Sequence, residues 1–260
     1  MPGYSIPRAS KVGFILSATI LLYSALSSNV RENSGTQQSY SLRVLPFDAV
    51  LSKGIYDKYD DDRLKFITAT VSNKMKDLCD DAGKDISWDR LQVIMLQNAA
   101  LQEKNKRYDE RDFYFLDGKA KVSNDEMKKR INTYVQECDT DVFDAVRIHD
   151  PEITEVIQFV ANQSVEFGIL PKSVSNSMSL LDIGMIRFPT KDNPYVKLYR
   201  FQLTGTFSGS RFMMVQDTEE RILTVTVDSC EYYPNYDLLQ RIDPEYVDKT
   251  IARFEDTLTA

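Results

Sequence analysis

One histidine, three cysteines and a scatter of acidic side chains are what this chain of 260 residues offers to acid–base, nucleophilic or metal chemistry. His149 stands alone, which excludes zinc sites built on two or three imidazoles. His149-Asp150 could orient a hydrolytic triad, yet no Gly-x-Ser-x-Gly elbow supplies a nucleophile. Cys79, Cys138 and Cys230 allow at most one intramolecular disulfide with one thiol left over, and the three pairings stay open. Cys138 continues the apolar positions Met127, Ile131, Tyr134 and Val135, and Cys79 follows Met75 and Leu78, so both read as small buried hydrophobes. Asp57, Asp60, Asp61, Asp62, Glu137, Asp139 and Asp141 could drive glycoside hydrolysis if two of them faced each other about 5–10 Å apart in a cleft. With 39 acidic residues, clusters follow from composition alone, and helix termini and solvated faces account for these. The four aspartates between Asp57 and Asp62 lack the alternate spacing, central Gly and closing Glu of a calcium loop. No catalytic residue, metal ligand or cofactor is therefore assigned.

Recognition is the remaining chemistry. The chain carries 14 Tyr and 13 Phe, and Tyr232, Tyr233 and Tyr236 surround Pro234 where a run of strands ends. Exposed rings there would make a binding patch for a protein partner or a sugar; the alternative is that they close the core under the last helix. A net charge of -7 argues against a sequence-independent grip on phosphate backbones, so nucleic acid is not expected as a partner. The densest basic run, Lys128-Lys129-Arg130, fits the solvated side of a helix.

The N-terminus bears on location. Arg8 and Lys11 precede an uncharged apolar run from Val12 to Tyr23, with an Ala-x-Ser site at Ala25-Leu26-Ser27. This resembles a secretory signal peptide covering residues 1–27. The competitor is an uncleaved membrane anchor at residues 12–26, short of the roughly 20 residues a spanning helix needs. Gly13-Phe14 after a basic leader also resembles a prepilin cleavage site, although Ala18 stands where that pattern has Glu. Each reading places the folded part outside the cytoplasm, secreted, periplasmic or membrane-anchored. Residues 28–41 are polar and aperiodic, a tether.

The positioning elements follow from periodicity. Leu64, Ile67, Val71, Met75 and Leu78 mark an amphipathic helix. Trp88, Leu91, Ile94, Met95 and Leu101 mark a second, from about Ser87 to Lys104, extended or ended by the polar run to Asp112. Asp117-Gly118 predicts a short hairpin. Ser123-Asn-Asp-Glu126 is a capping box before a third helix. A short helix is expected over Val142–Ile148, and Asp150-Pro151-Glu152 and Asp243-Pro244-Glu245 start two more, each with Asp at the N-cap. From Leu181 to Tyr233 the period changes to two. Tyr199, Phe201, Leu203 and Phe207 alternate with Arg200, Gln202, Thr204 and Thr206, breaks are expected at Ser208-Gly209-Ser210 and Asp217–Glu220, and Leu223, Val225 and Val227 alternate with Thr224 and Thr226. Leu42–Leu51, broken by Pro46, suits a short edge strand or the approach to the first helix.

Together these predict a single α+β domain over residues 42–260: a helical N-terminal half packed on one face of a four- to five-stranded antiparallel β-meander, closed by a C-terminal helix. Helices followed by a meander, from about Asp62 to Tyr233, resemble the cone-shaped nuclear-transport-factor-like domains, which implies a fold and no activity. The functional expectation is an exported, non-enzymatic binding or assembly protein working through protein–protein contacts. The alternatives are an extracytoplasmic hydrolase using paired carboxylates and a secreted toxin or effector acting on membranes, which long amphipathic strands or an exposed apolar helix would favour.

Overall fold

The computed structural model describes residues 43–49, 61–82, 88–117, 120–163, 172–190, 192–212 and 215–259. The alternating stretch around Phe201 is the centre of the fold. It forms the middle of β6 (Val196–Phe212), flanked antiparallel by β5 (Lys172–Arg187) and β7 (Val215–Pro234). β2 (Leu101–Tyr114) adds antiparallel to β7, and β1 (Arg43–Ala49) adds parallel to β5, giving the order β1-β5-β6-β7-β2. Pro46 falls within the register shift between Leu45 and Asp48, on an edge strand where a missing N–H is tolerated. β3 (Leu116–Asp117) and β4 (Ala120–Lys121) form the small hairpin expected around Asp117-Gly118.

Two local expectations are corrected. The residues from Gln102 to Asp112 do not extend a helix; they are strand β2, exposed along almost its whole length. Their pattern of charges suits neither period, and the ladder to β7 decides the conformation. Nor does the chain break at Ser208-Gly209-Ser210 or at Asp217–Glu220. Ser208 pairs with Ser175 on one side and Glu220 on the other, so the ladder carries these turn-prone residues. The hairpin closes beyond the Phe212↔Val215 pair instead.

The helices are α1 (Asp62–Ala82), α2 (Trp88–Gln97), α3 (Asn124–Cys138), α4 (Thr140–Ile148), α5 (Asp150–Asn162), α6 (Tyr236–Leu239) and α7 (Pro244–Thr259). At α3 the Ser123 hydroxyl accepts from the Glu126 amide at 3.2 Å, the predicted cap, while the Glu126 carboxylate turns to Arg130 at 3.0 Å. At α5 the cap is His149, not Asp150: Asp150 already lies in the first turn and accepts from Lys128 Nζ at 2.5 Å. Before α7 the Asp243 carboxylate does accept, from the Glu245 amide at 3.1 Å.

The α+β class read from the sequence is the class observed, but the helices divide between both faces of the sheet. On the first face Met127, Ile131 and Val135 of α3, Val142 and Val146 of α4, and Ile153, Ile157 and Val160 of α5 bury against Ile183, Phe201, Leu203 and Val225. On the second face Phe66, Ile67 and Val71 of α1 and Leu91 and Met95 of α2 bury against Ile186, Val196, Leu198, Cys230 and Tyr232. Val247 and Ile251 of α7 pack on this second cluster. The cause lies in β6, where Val196 and Leu198 put apolar groups on the face opposite Tyr199 and Phe201. Each fully buried Ile, Leu or Phe contributes about 1.5–3 kcal/mol, so both faces demand a cover.

Residues 42–260 cluster as one compact unit. The expected leader and tether, with Asp57, Asp60 and the side chain of Cys79, lie outside the described residues. Among the described residues no helix is long and apolar enough to cross a membrane, which says nothing of crossing by strands.

Candidate interaction faces of the meander

Cross-strand register turns the alternation of β5, β6 and β7 into two chemically distinct surfaces. On the first face the rows Leu181–Leu203–Val225, Ile183–Phe201–Val227 and Met178–Gly205–Leu223 stack an apolar band under α3, α4 and α5. Gly205 leaves room there for Leu180 and Phe207: a Cβ would stand 2.8 Å from Leu180 Cδ1 and 3.1 Å from the Phe207 ring, so both side chains would have to shift.

On the second face the rows are Ser175–Ser208–Glu220, Ser177–Thr206–Ile222, Ser179–Thr204–Thr224 and Asp182–Gln202–Thr226. Hydroxyls dominate it. Ser175 and Ser177 are exposed, Ser179, Thr204, Thr206 and Thr224 half-buried, and Thr206 Oγ1 donates to Ser177 Oγ at 3.3 Å. This half of the second face lies beyond the α1–α2 cluster. The boundary is a charged cluster. Arg200 grips Asp182 with a two-pronged fork, Nε at 2.7 Å and Nη2 at 2.5 Å, Gln202 donates to the same carboxylate at 3.0 Å, and the guanidinium lies 5.8 Å from the Trp88 ring. Beside it burial pushes the Asp228 carboxyl above the usual carboxylate range, against the pull of Lys106, a Trp88 hydrogen bond and Arg200; its Oδ1 is buried without a hydrogen-bond partner.

The apolar band of the first face ends in a polar row, Arg187–Lys197–Glu231. The α3–α4 junction lands on it: Lys197 Nζ lies 2.7 Å from Asp139 and 3.0 Å from Asp141, and Arg187 is 3.1 Å from Asp141. Burial works to lower the Lys197 pKa, but the hydrogen bonds the ammonium donates to both aspartates outweigh it and hold it above the ordinary lysine value. One step further along the strands Tyr195 and Tyr233 stack, with centroids 4.7 Å apart and planes at 21°. Arg187 sits 4.8 Å from the Tyr195 ring and Lys104 4.8 Å from the Tyr233 ring, so each ring of the pair also meets a cation.

The three tyrosines picked from sequence do not form one patch. Tyr232 is 1% exposed, in the second core, because neighbouring residues of a strand point to opposite faces. Tyr233 joins the stack described above, and Tyr236 is exposed on α6 with Arg63 5.6 Å from its ring. Of the acidic residues, Asp139 and Asp141 converge on a cation instead of facing each other across a cleft; Asp139 also caps α4. Asp61 pairs with Arg63, whose hydrogen bond draws its pKa down, and Asp62 and Glu137 are exposed. His149 sits half-buried at the α4–α5 corner. Cys138 and Cys230 are buried free thiols, and burial pushes the Cys230 pKa up to about 11. Among the described residues no cluster of potential ligands could hold a metal ion. Sequence reasoning did not single out Arg187, Tyr195, Lys197 or Lys104; only the register of three strands brings them together. The hydroxyl face was visible as alternate Thr positions, without its extent.

No family model and no curated protein matches the chain. Among solved structures it has a slight likeness to a delta-endotoxin, at 7% identity over 80% of this chain and 91% of that one, with a TM-score of 0.27. A second is to the Evf virulence factor, at 10% identity over 92% and 89% of the two chains, with a TM-score of 0.26. Likenesses this slight assign neither fold nor activity.

Proposed function

We propose that the chain is an exported, non-enzymatic protein that acts outside the cytoplasm on lipid bilayers, through the meander β5–β6–β7. One observation carries this reading: the strands keep an apolar side and a hydroxyl side in register across three strands. From Tyr199 to Phe207 the apolar side runs nine residues. A membrane-spanning strand needs about 9–11 residues, apolar toward lipid and polar toward the lumen. A Ser/Thr-rich surface beside the Arg200 cluster, with Glu220 and Asp112 at its margins, suits that second side. The reading requires α3, α4 and α5 to leave the first face when lipid replaces them.

Release of an encapsulated dye from lipid vesicles by the full chain tests it. Met178 is partly buried against the apolar band and its neighbour Ser177 is exposed on the hydroxyl side, so the unfolding midpoint of each variant is measured beside release to separate a core defect from a membrane effect. Met178→Asp is expected to slow release at least about ten-fold, since a charge facing hydrocarbon costs a few kcal/mol, while Ser177→Asp leaves it within about two-fold. A parent chain that neither releases dye nor co-sediments with vesicles would sink the proposal.

A second reading is a protein partner held at the stacked Tyr195–Tyr233 end, favoured by two half-exposed rings flanked by Arg187 and Lys104. It expects Tyr233→Ser to abolish a cross-link that a photoreactive group at position 104 makes in native extract; an unchanged cross-link refutes it.

A further inference from the structure

The last strand of the sheet has a charge pattern that fits itself. β2 is hydrogen-bonded to β7 on one side, and no described strand lies on the other. It is long and exposed from Gln102 to Asp112 apart from half-buried Asp109, so among the described residues its outer edge has no strand partner and can offer backbone groups to another strand. Such edges are commonly protected by lysines of one sign. Here both signs occur: the cations Lys106 and Arg107 precede Tyr108, and the carboxylates Asp109 and Glu110 follow it, with Arg111 and Asp112 beyond.

We infer that this edge pairs antiparallel with the same edge of a second copy, with Tyr108 on the two-fold axis. A two-fold perpendicular to the sheet keeps each residue opposite one on the same face, so opposed positions must sum to an even number. Centring on Tyr108 sets Lys106 against Glu110 and Arg107 against Asp109, each twice by symmetry, with Asn105 against Arg111. No like charges meet. Centring on Arg107 sets that residue against itself, and centring on Asp109 opposes Asp109 to Asp109 and Arg107 to Arg111. The register is thus selected by charge. Within one copy Asp109 already pairs with Arg107 and Glu110 accepts from the Tyr108 hydroxyl, so the carboxylates are held on the exposed strand beside the positions they would face. The pairing makes one ten-stranded sheet from two copies and is independent of the membrane reading.

Sedimentation of the full chain at low and at high salt tests this. A species of twice the 29.9 kDa chain mass is expected at low salt, dissociating as salt screens the exposed pairs. Lys106→Glu opposes Glu to Glu110 and is expected to weaken association about ten-fold, and Lys106→Glu with Glu110→Lys is expected to restore it. Tyr108→Cys should form an intermolecular disulfide under mild oxidation, its Cα lying within the roughly 7 Å limit of its symmetry mate. Tyr114→Cys, exposed on the same strand but opposed to Gln102, should not. A monomer at low salt, a dimer indifferent to Lys106→Glu, failure of the double swap, or equal cross-linking at positions 108 and 114 would each overturn the proposal.

Discussion

Lys197 is the most constrained charge in the described structure, with its side chain 8% exposed against Asp139 at 9% and Asp141 at 32%. Lys197→Met keeps the stem and deletes the charge, leaving Asp139 buried without its cation; a loss of about 3 kcal/mol is expected in urea unfolding. Asp228 has the opposite sign of effect. Its pKa is raised in the folded state, so the folded protein binds the proton more tightly than the unfolded chain. The stability this carboxyl contributes is therefore fully present below the ordinary carboxylate pKa and is lost as pH rises through the folded value. Asp228→Asn removes the buried charge, so its Tm should exceed the parent's at pH 7 and the gain should disappear as pH falls below the ordinary carboxylate range. A gain that persists in acid would show that desolvation of the carboxylate is not the cause. Neither role was legible in the sequence: Asp139 stood among seven candidate carboxylates and Asp228 among 39 acidic residues until burial separated them.

Elements with a local cause were readable one at a time. The Ser123 cap is an example, because hydroxyl and amide lie three residues apart and need no tertiary partner. Ser123→Ala should cost about 1 kcal/mol, measured as a shift of the unfolding midpoint, with Ser123→Thr close to the parent. The periodic stripes of α1, α3 and α5 were likewise visible, since each is a property of one segment. β2 was not, because it has almost no apolar side to set a period and owes its shape to thirteen residue pairs with β7. The same holds for the hairpin of β6 and β7. Ser208-Gly209-Ser210 favours a turn in isolation, and two neighbouring strands override that preference.

At the scale of the molecule, the sheet is shared by two cores, which ties their stabilities together. Trp88 is the only tryptophan and lies in the second core, while Phe201 is fully buried in the first. Phe201→Ala should lower stability by about 3–5 kcal/mol and shift the Trp88 fluorescence midpoint by the same amount as the far-UV transition. A fluorescence midpoint that stays in place would mean that the cores unfold separately. The candidate faces belong to this scale too. Sequence by itself determined the α+β class, most helix positions and the strict alternation of β6, because 3.6- and 2-residue periods are written along a single segment. Tertiary structure alone decided that helices cover both faces, that Tyr232 is buried while Tyr233 stacks on Tyr195, and that the hydroxyls form one surface, because each depends on strand register, and register is fixed only when distant segments pair.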